Sequence, residues 1–380
     1  MTHRITLLLG LSMAMIPAVL AQTQVKTIFF DGITREYRLH LPVNYNPAND
    51  YPLIFNLHGL GSNGFEQELY SEFSNISDTA GIILVYPEGT QNAWNAGFII
   101  GGVDDVGFIS ALIDTLAGEY SVDLKRVYST GMSNGGIMSH YLACHLSDRI
   151  AAIASVTGSM LITHPPDCQP GRTVPVLQFH GTDDQVVPYY GGKGFIPVDS
   201  MMEFWAVNNG CLSGPDSTDL PDLVAADSST ATYFAYENCS DSSDVIWYRL
   251  NQGGHTWPGA FPLPNQVTNQ DIKASTLIWE FFQRFEHPDP RKASSAGLMK
   301  DMKETPNIFY NPVENQFIVR FSQQINAKVK VLNMNGKIIF SQNERWLDEC
   351  VIGASGWSSG VYVLVIETDQ GVFRKKIIKN

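Results

Sequence analysis

The feature that most constrains this chain is a regular exchange of two textures between Lys26 and about Phe285. Short β-rich runs bounded by proline and glycine recur at Leu53–Leu57, Gly81–Tyr86, Arg126–Thr130 and Val174–Phe179. Between them lie stretches of helical spacing, such as Val106, Ile109, Leu112, Ile113 and Leu116, opened by Asp104 or Asp105 as an N-cap. Successive parallel strands need a crossover, and the usual crossover is a helix. The alternation therefore predicts an α/β fold, with a mainly parallel central sheet covered by helices on both faces. Hydrophobic residues make up 44% of the 380, enough for a large core, and global disorder is excluded.

The texture changes after this stretch. The polar segment 288–304, beginning Pro288-Asp289-Pro290, reads as a linker after an α/β domain spanning 22–287. Beyond it only short strand-like runs follow: Gln316–Phe321, Lys328–Leu332, Lys337–Phe340, Val361–Ile366 and Val372–Ile378. Turn residues such as Asn335-Gly336 and Gln370-Gly371 separate them, and Lys328-Val329-Lys330-Val331 alternates with period two. Residues 305–380 are expected to form a small all-β sandwich of their own. This tail has nine basic and six acidic residues, so the chain's net charge of 25 − 38 = −13 belongs to the larger domain. Such a balance argues against nucleic acid or an anionic membrane as partner, since both need a positive field.

At the other end, His3 and Arg4 precede an apolar run from Ile5 to Leu20, and Val19-Leu20-Ala21 offers small residues for cleavage. Interrupted by Pro17, the run falls short of the about 20 residues that span a bilayer. Residues 1–21 thus read as a secretory signal peptide. Export makes disulfides possible. Of the five cysteines, Cys144, Cys168, Cys211 and Cys239 can form two bridges, while Cys350 stands far downstream. Spacing leaves the connectivity open; the expectation adopted is the pairing of sequence neighbours, Cys144–Cys168 and Cys211–Cys239. No cluster with zinc-ligand spacing is present, and no metal is expected.

The chemistry concentrates in the larger domain. Gly131-Met132-Ser133-Asn134-Gly135 is a G-x-S-x-G sequence between a predicted strand and a helical run. A sharp strand–turn–helix lifts a serine hydroxyl clear of the sheet edge, and the flanking glycines keep the turn free of clashes. A serine needs a positioned base. His255, in the glycine- and proline-rich loop Gly253–Gly259, suits that role better than His140 and His145 on the helix after Ser133. His164 and His287 read as solvated loop residues, and His58 as a structural one. An acid must orient the imidazole; Asp184 is the first choice, just past the 174–179 strand, with Asp183 as the alternative. The order Ser133, Asp184, His255 is that of α/β-hydrolases. Two backbone N–H groups should form an oxyanion hole: those of Asn134, beside the serine, and of Leu60, in the loop His58-Gly59-Leu60-Gly61.

With these motifs in place, the chain resembles the esterase/polyhydroxybutyrate depolymerase family, which includes feruloyl and acetylxylan esterases. The matching blocks are Asp104–Ile109, Thr130–Gly136, Leu142-Ala143-Cys144, His180–Pro188, Asn209-Gly210-Cys211 and Gly254–Gly259, in order, over roughly residues 26–286. Leu60 departs from the family, which often has cysteine there, and so does Asn251-Gln252-Gly253, where a third glycine is common. The resemblance implies an α/β-hydrolase that cleaves carboxylic esters through an acyl-enzyme without a cofactor. The tail is similar to the type IX secretion sorting domain of Bacteroidetes, through Tyr310–Val313, Asn335-Gly336-Lys337, Ser359–Tyr362 and Lys375–Lys379. That likeness implies export by the type IX machinery, to the medium or the cell surface.

Trp94, in Trp94-Asn95-Ala96-Gly97, and Trp257, beside His255, are candidate substrate-binding residues, because exposed indoles stack on sugar rings or aromatic acyl groups. Either could instead be core. The leading expectation is a secreted esterase removing feruloyl or acetyl groups from plant cell-wall polysaccharide such as xylan. A poly(3-hydroxybutyrate) depolymerase or small-ester esterase is the alternative, favoured less because no substrate-binding domain or Ser/Thr-rich linker is visible. A polysaccharide-binding protein with a vestigial triad is the reading from another class.

Overall fold

The strand–helix exchange becomes a single ten-stranded sheet in the computed structural model, which describes residues 23–97, 103–290, 306–311, 314–333, 338–368 and 371–379. The expected signal peptide, most of the expected linker, and the turn residues Asn335-Gly336 and Gln370 lie outside the described residues. Two compact units meet in sequence at Arg291 and Lys292.

The first unit opens with β1 (Gln24–Phe30), β2 (Ile33–His40), β3 (Tyr51–Leu57), α1 (Gly64–Ser71), α2 (Phe73–Ala80) and β4 (Ile83–Pro87). It continues through α3 (Asp105–Glu119), β5 (Val122–Met132), α4 (Asn134–His145), β6 (Ala152–Val156), α5 (His164–Asp167) and β7 (Val176–Gly181). It closes with α6 (Val198–Asn208), β8 (Ser213–Asp219), β9 (Thr230–Glu237), β10 (Val245–Asn251) and α7 (Ala274–Phe282). The sheet order is β1-β2-β4-β3-β5-β6-β7-β10-β9-β8. The six strands from β4 to β10 in that order run parallel, and antiparallel pairs flank them at both edges.

Burial on both faces explains why β3, β4, β6 and β7 read as nearly continuous apolar runs, each buried along its whole length. Side chains alternate between two cores: Leu53, Phe55 and Leu57 enter one with residues of α3, α4 and α6, while Ile54 enters the other with residues of α7. The start of α3 distinguishes the two neighbouring aspartates. Asp104 caps the helix, its carboxylate accepting the Gly107 N–H at 2.8 Å, whereas Asp105 is buried and pairs with Arg35 at 2.8 Å. The disulfides are Cys144–Cys168 and Cys211–Cys239. The first ties the end of α4 to the segment after α5; the second joins the segments following α6 and β9. Among the described residues no helix is long and apolar enough to cross a membrane.

The second unit is all-β and antiparallel: β11 (Asn307–Asn311), β12 (Gln316–Asn333), β13 (Ile338–Gly353), β14 (Gly360–Thr368) and β15 (Gly371–Lys379). The expected runs 316–321 and 328–332 are one long strand, because the backbone between them keeps pairing with β13, at Ile325 with Leu347 and Ala327 with Glu344, across register shifts. Its start pairs with β11 and its end with β14. The Lys328–Val331 alternation holds, with Val329 and Val331 buried in a core shared with Phe317, Ile352, Leu364 and Ile377.

Candidate active site

Three parallel strands end at one edge of the sheet, and each delivers one residue there: β5 leads into Ser133, β7 into Asp184 and β10 into His255. Ser133 sits at φ 55° and ψ −119°, a strained backbone for a side-chain-bearing residue. Its N–H is anchored to the Val156 carbonyl of β6 at 2.8 Å. It occupies the N-cap of α4, yet its hydroxyl makes no capping bond, so Oγ is left for other chemistry. The glycines of G-x-S-x-G are required by close approach. A Cβ at Gly131 would lie 2.5 Å from the Leu57 carbonyl oxygen, and one at Gly135 would lie 2.1 Å from the same atom. The end of β3 is thus pressed into the turn, and the loop after it lies against the serine: a Cβ at Gly59 would meet the Ser133 Cβ at 3.4 Å.

His255 Nδ1 lies 2.7 Å from Asp184 Oδ2. Asp184 is buried, and its Oδ1 accepts the N–H groups of Val186 at 2.8 Å and Val187 at 2.9 Å. Burial pushes the Asp184 carboxyl up, but hydrogen bonds and charge from His180 and His255 outweigh it and hold the group well below the usual carboxylate range. Asp183 is exposed, and among the described residues only the Thr182 hydroxyl approaches its carboxylate, at 3.4 Å. Geometry therefore brings Asp184, not Asp183, to the imidazole. The loop bearing His255 is held in turn by the Gln266 side chain, which accepts the His255 N–H at 3.0 Å.

Behind Asp184 runs a buried polar chain that sequence reasoning missed. The Trp205 indole donates to His140 Nδ1 at 3.1 Å, so His140 carries its proton on Nε2, which meets Gln178 Oε1 at 3.1 Å. Burial holds His140 down to about 4, in its neutral form. Gln178 Nε2 donates to His180 Nδ1 at 3.0 Å, leaving His180 Nε2–H to donate to the Val187 carbonyl at 2.8 Å and to face Asp184 Oδ2 at 3.4 Å. Each group fixes the tautomer of the next, and the last orients the carboxylate. The signal was present in Gln178 and His180, two polar residues on one face of an otherwise apolar strand.

The loop after β3 is stitched to the segment after β4. His58 is fully buried, accepts the Gly89 N–H on Nε2 at 2.9 Å and donates from Nδ1 to the Gly59 carbonyl at 2.8 Å. Gly61 N–H reaches the Asn92 carbonyl at 2.8 Å. Leu60, between these anchors, projects its side chain outward at 68% exposure. Asn134 is the first residue of α4, where backbone N–H groups have no partner within the helix.

Two sequence expectations are corrected. Trp94 and Trp257 are not at the rim: they are 0% and 1% exposed. Each indole N–H is satisfied internally, Trp94 by the His58 carbonyl and Trp257 by Ser275 Oγ, both at 3.0 Å. A buried indole with its N–H paired offers no face to a substrate. His164 and His287 are likewise buried rather than solvated, with Nε2 on the Ala96 carbonyl at 2.7 Å and the Ser147 carbonyl at 2.9 Å. Among the described residues no group of three or more acidic, histidine or cysteine side chains could hold a metal ion.

Comparison with known proteins agrees with this architecture. Residues 104–202 match the Phospholipase/Carboxylesterase family, and residues 307–380 match the Secretion system C-terminal sorting domain. Feruloyl esterase C of Emericella nidulans is 30% identical over 256 residues, covering 65% of this chain and 83% of that protein. Feruloyl esterase B of Piromyces equi is 30% identical over 236 residues, which is 58% of this chain but only 42% of the relative. In structure, an acetyl xylan esterase from Aspergillus awamori superposes with a TM-score of 0.52 at 17% identity, over 69% of this chain and 99% of the other. The sorting-domain match places the protein outside the cell or at its surface. The chain has the α/β-hydrolase fold and belongs to the esterase family of the feruloyl esterases, and it ends in a secretion-system sorting domain.

Proposed function

We propose that the protein is a serine ester hydrolase that works through an acyl-enzyme and removes feruloyl or acetyl groups from plant cell-wall polysaccharide, xylan above all. The observation that carries the mechanism is the 2.7 Å pair of His255 and buried Asp184 at the sheet edge where Ser133 occupies a strained turn. Ser133 Oγ attacks the ester carbonyl while His255 Nε2 takes its proton, and Asp184 stabilises the imidazolium. The N–H groups of Asn134 and Leu60 hold the negative oxygen of the tetrahedral intermediate. Collapse expels the alcohol, which receives the proton from His255, and leaves the acyl group on Ser133. Water, activated by the same imidazole, then releases the acid. None of these steps calls for a cofactor.

The substrate class rests on the relatives named as feruloyl esterases, now that the two tryptophans are core. Exposed apolar side chains support an apolar or aromatic acyl group: Leu60 beside a proposed oxyanion donor, and Val186, 50% exposed, two residues past Asp184. The tail is the handle for the type IX secretion machinery. The test is labelling with a fluorophosphonate, which should modify Ser133 and fail on Ser133→Ala. Turnover should fall roughly 10⁴-fold or more in Ser133→Ala and His255→Ala. An unlabelled wild type would instead support a polysaccharide-binding protein.

A further inference from the structure

Trp94 is the residue whose bonds the proposed mechanism leaves unused, and they all run to the oxyanion hole. Its indole N–H donates to the His58 carbonyl at 3.0 Å, two residues before Leu60, and its ring packs on the His58 imidazole at 5.1 Å. Its backbone clasps the other side. The Trp94 N–H donates to Asn134 Oδ1 at 2.7 Å, and Asn134 Nδ2 donates back to the Trp94 carbonyl at 3.2 Å. The next residue is itself pinned, Asn95 N–H reaching Asp105 Oδ2 at 2.7 Å while the other Asp105 oxygen pairs with Arg35.

We propose that Trp94 is a positioning residue that sets the spacing of the two oxyanion-hole donors. This rests on the oxyanion assignment to Asn134 and Leu60 made above. The two donors come from separate segments, α4 and the loop after β3, and Trp94 is hydrogen-bonded to both. Oxyanion donors act only when they stand about 2.7–3.1 Å from the developing charge, and loss of a whole donor costs about 10²–10³-fold in kcat. A residue that fixes donor spacing should therefore affect the transition state more than ground-state binding.

The test is Trp94→Phe in the full chain, which keeps an aromatic ring and the backbone clasp but removes the indole N–H together with part of the ring. The expected result is a loss of about 10-fold in kcat, one order below that of a whole donor, with KM within about twofold, the pattern of an interaction made in the transition state. The rate ratio of p-nitrophenyl acetate to its thiono analogue should also fall, because sulfur is a larger and weaker acceptor and already gains little from the hole. A merely structural role would lower the melting temperature and leave that ratio alone. Should the phenylalanine variant not fold, the isosteric benzothiophene analogue of Trp94, which lacks the N–H, serves instead. Fluorophosphonate labelling separates the failures. If wild type and variant both label at Ser133 and kcat and the ratio are unchanged, the role of Trp94 is overturned alone. If the wild type does not label, the proposed mechanism falls and the role of Trp94 with it.

Discussion

Replacing Asp184 by asparagine changes one atom and should remove nearly all activity. Asp184 Oδ1 accepts two backbone N–H groups, at 2.8 and 2.9 Å, and Oδ2 receives His255 Nδ1 at 2.7 Å and faces His180 Nε2 at 3.4 Å. The asparagine amide can lie in two ways. With its NH2 toward Val186 and Val187, donors face donors, and the buried Val187 N–H loses its acceptor at about 1–3 kcal/mol. The other orientation is therefore favoured, and it turns the NH2 toward His255. Nδ1 must then accept, which moves the imidazole proton to Nε2, the nitrogen meant to take the proton of Ser133. A wrong tautomer of this kind costs about 10⁴-fold in kcat in a serine protease, equivalent to about 5.4 kcal/mol at about 1.36 kcal/mol per decade. His180 cannot relieve the conflict by flipping, because Gln178 holds its Nδ1 as an acceptor. The assay is the initial rate of p-nitrophenyl acetate hydrolysis by Asp184→Asn and Asp183→Asn, with thermal melts to confirm folding. Asp183→Asn should stay within about twofold, since that side chain is exposed. Activity of Asp184→Asn within tenfold of wild type, or an equal loss in Asp183→Asn, would refute the reasoning.

Three further outcomes follow from the same geometry. Ser133→Gly should be more stable than Ser133→Ala by about 1 kcal/mol in urea unfolding, because glycine relieves the strain of φ 55° at some entropic cost; a less stable glycine variant would mean the turn is not strained. Removing the Cys144–Cys168 bridge, which closes a separation of 24 residues, should cost about 3 kcal/mol, and a loss under about 1 kcal/mol would contradict it. Because the Asp184 carboxyl is held low in the folded protein, its stabilisation is present above the ordinary unfolded value of about 4 and is lost as the pH falls through the folded one. The stability gap between wild type and Asp184→Asn should therefore narrow from pH 7 to pH 3; a gap that widens would reverse the sign.

The parallel core and the residues of the proposed triad each leave a local trace in the sequence. Leu53–Leu57 and Val174–Phe179 are largely apolar runs of the kind a strand buried on both faces produces, and Ser133 lies between glycines that the Leu57 carbonyl leaves no room to replace. β8 was not legible: Ser213–Asp219 is exposed throughout and lies at the sheet edge, so no hydrophobic pattern marks it. The tryptophans failed for a different reason. An indole suits a substrate rim or a core with a paired N–H equally well, and the deciding partners of Trp94, His58 and Asn134, lie 36 and 40 residues away in sequence. The chain from Trp205 through His140 and Gln178 to His180 is similarly non-local, spanning 65 and 38 residues in its first two links.

The central claim is tested most directly by acid release from methyl ferulate, acetylated xylan and a poly(3-hydroxybutyrate) suspension, measured with the full chain and with Ser133→Ala as blank. The account predicts release from one or both of the first two, none from the polyester, and none from the blank. Release from the polyester alone would move the protein to the depolymerase branch, and equal release from Ser133→Ala would contradict the serine mechanism itself.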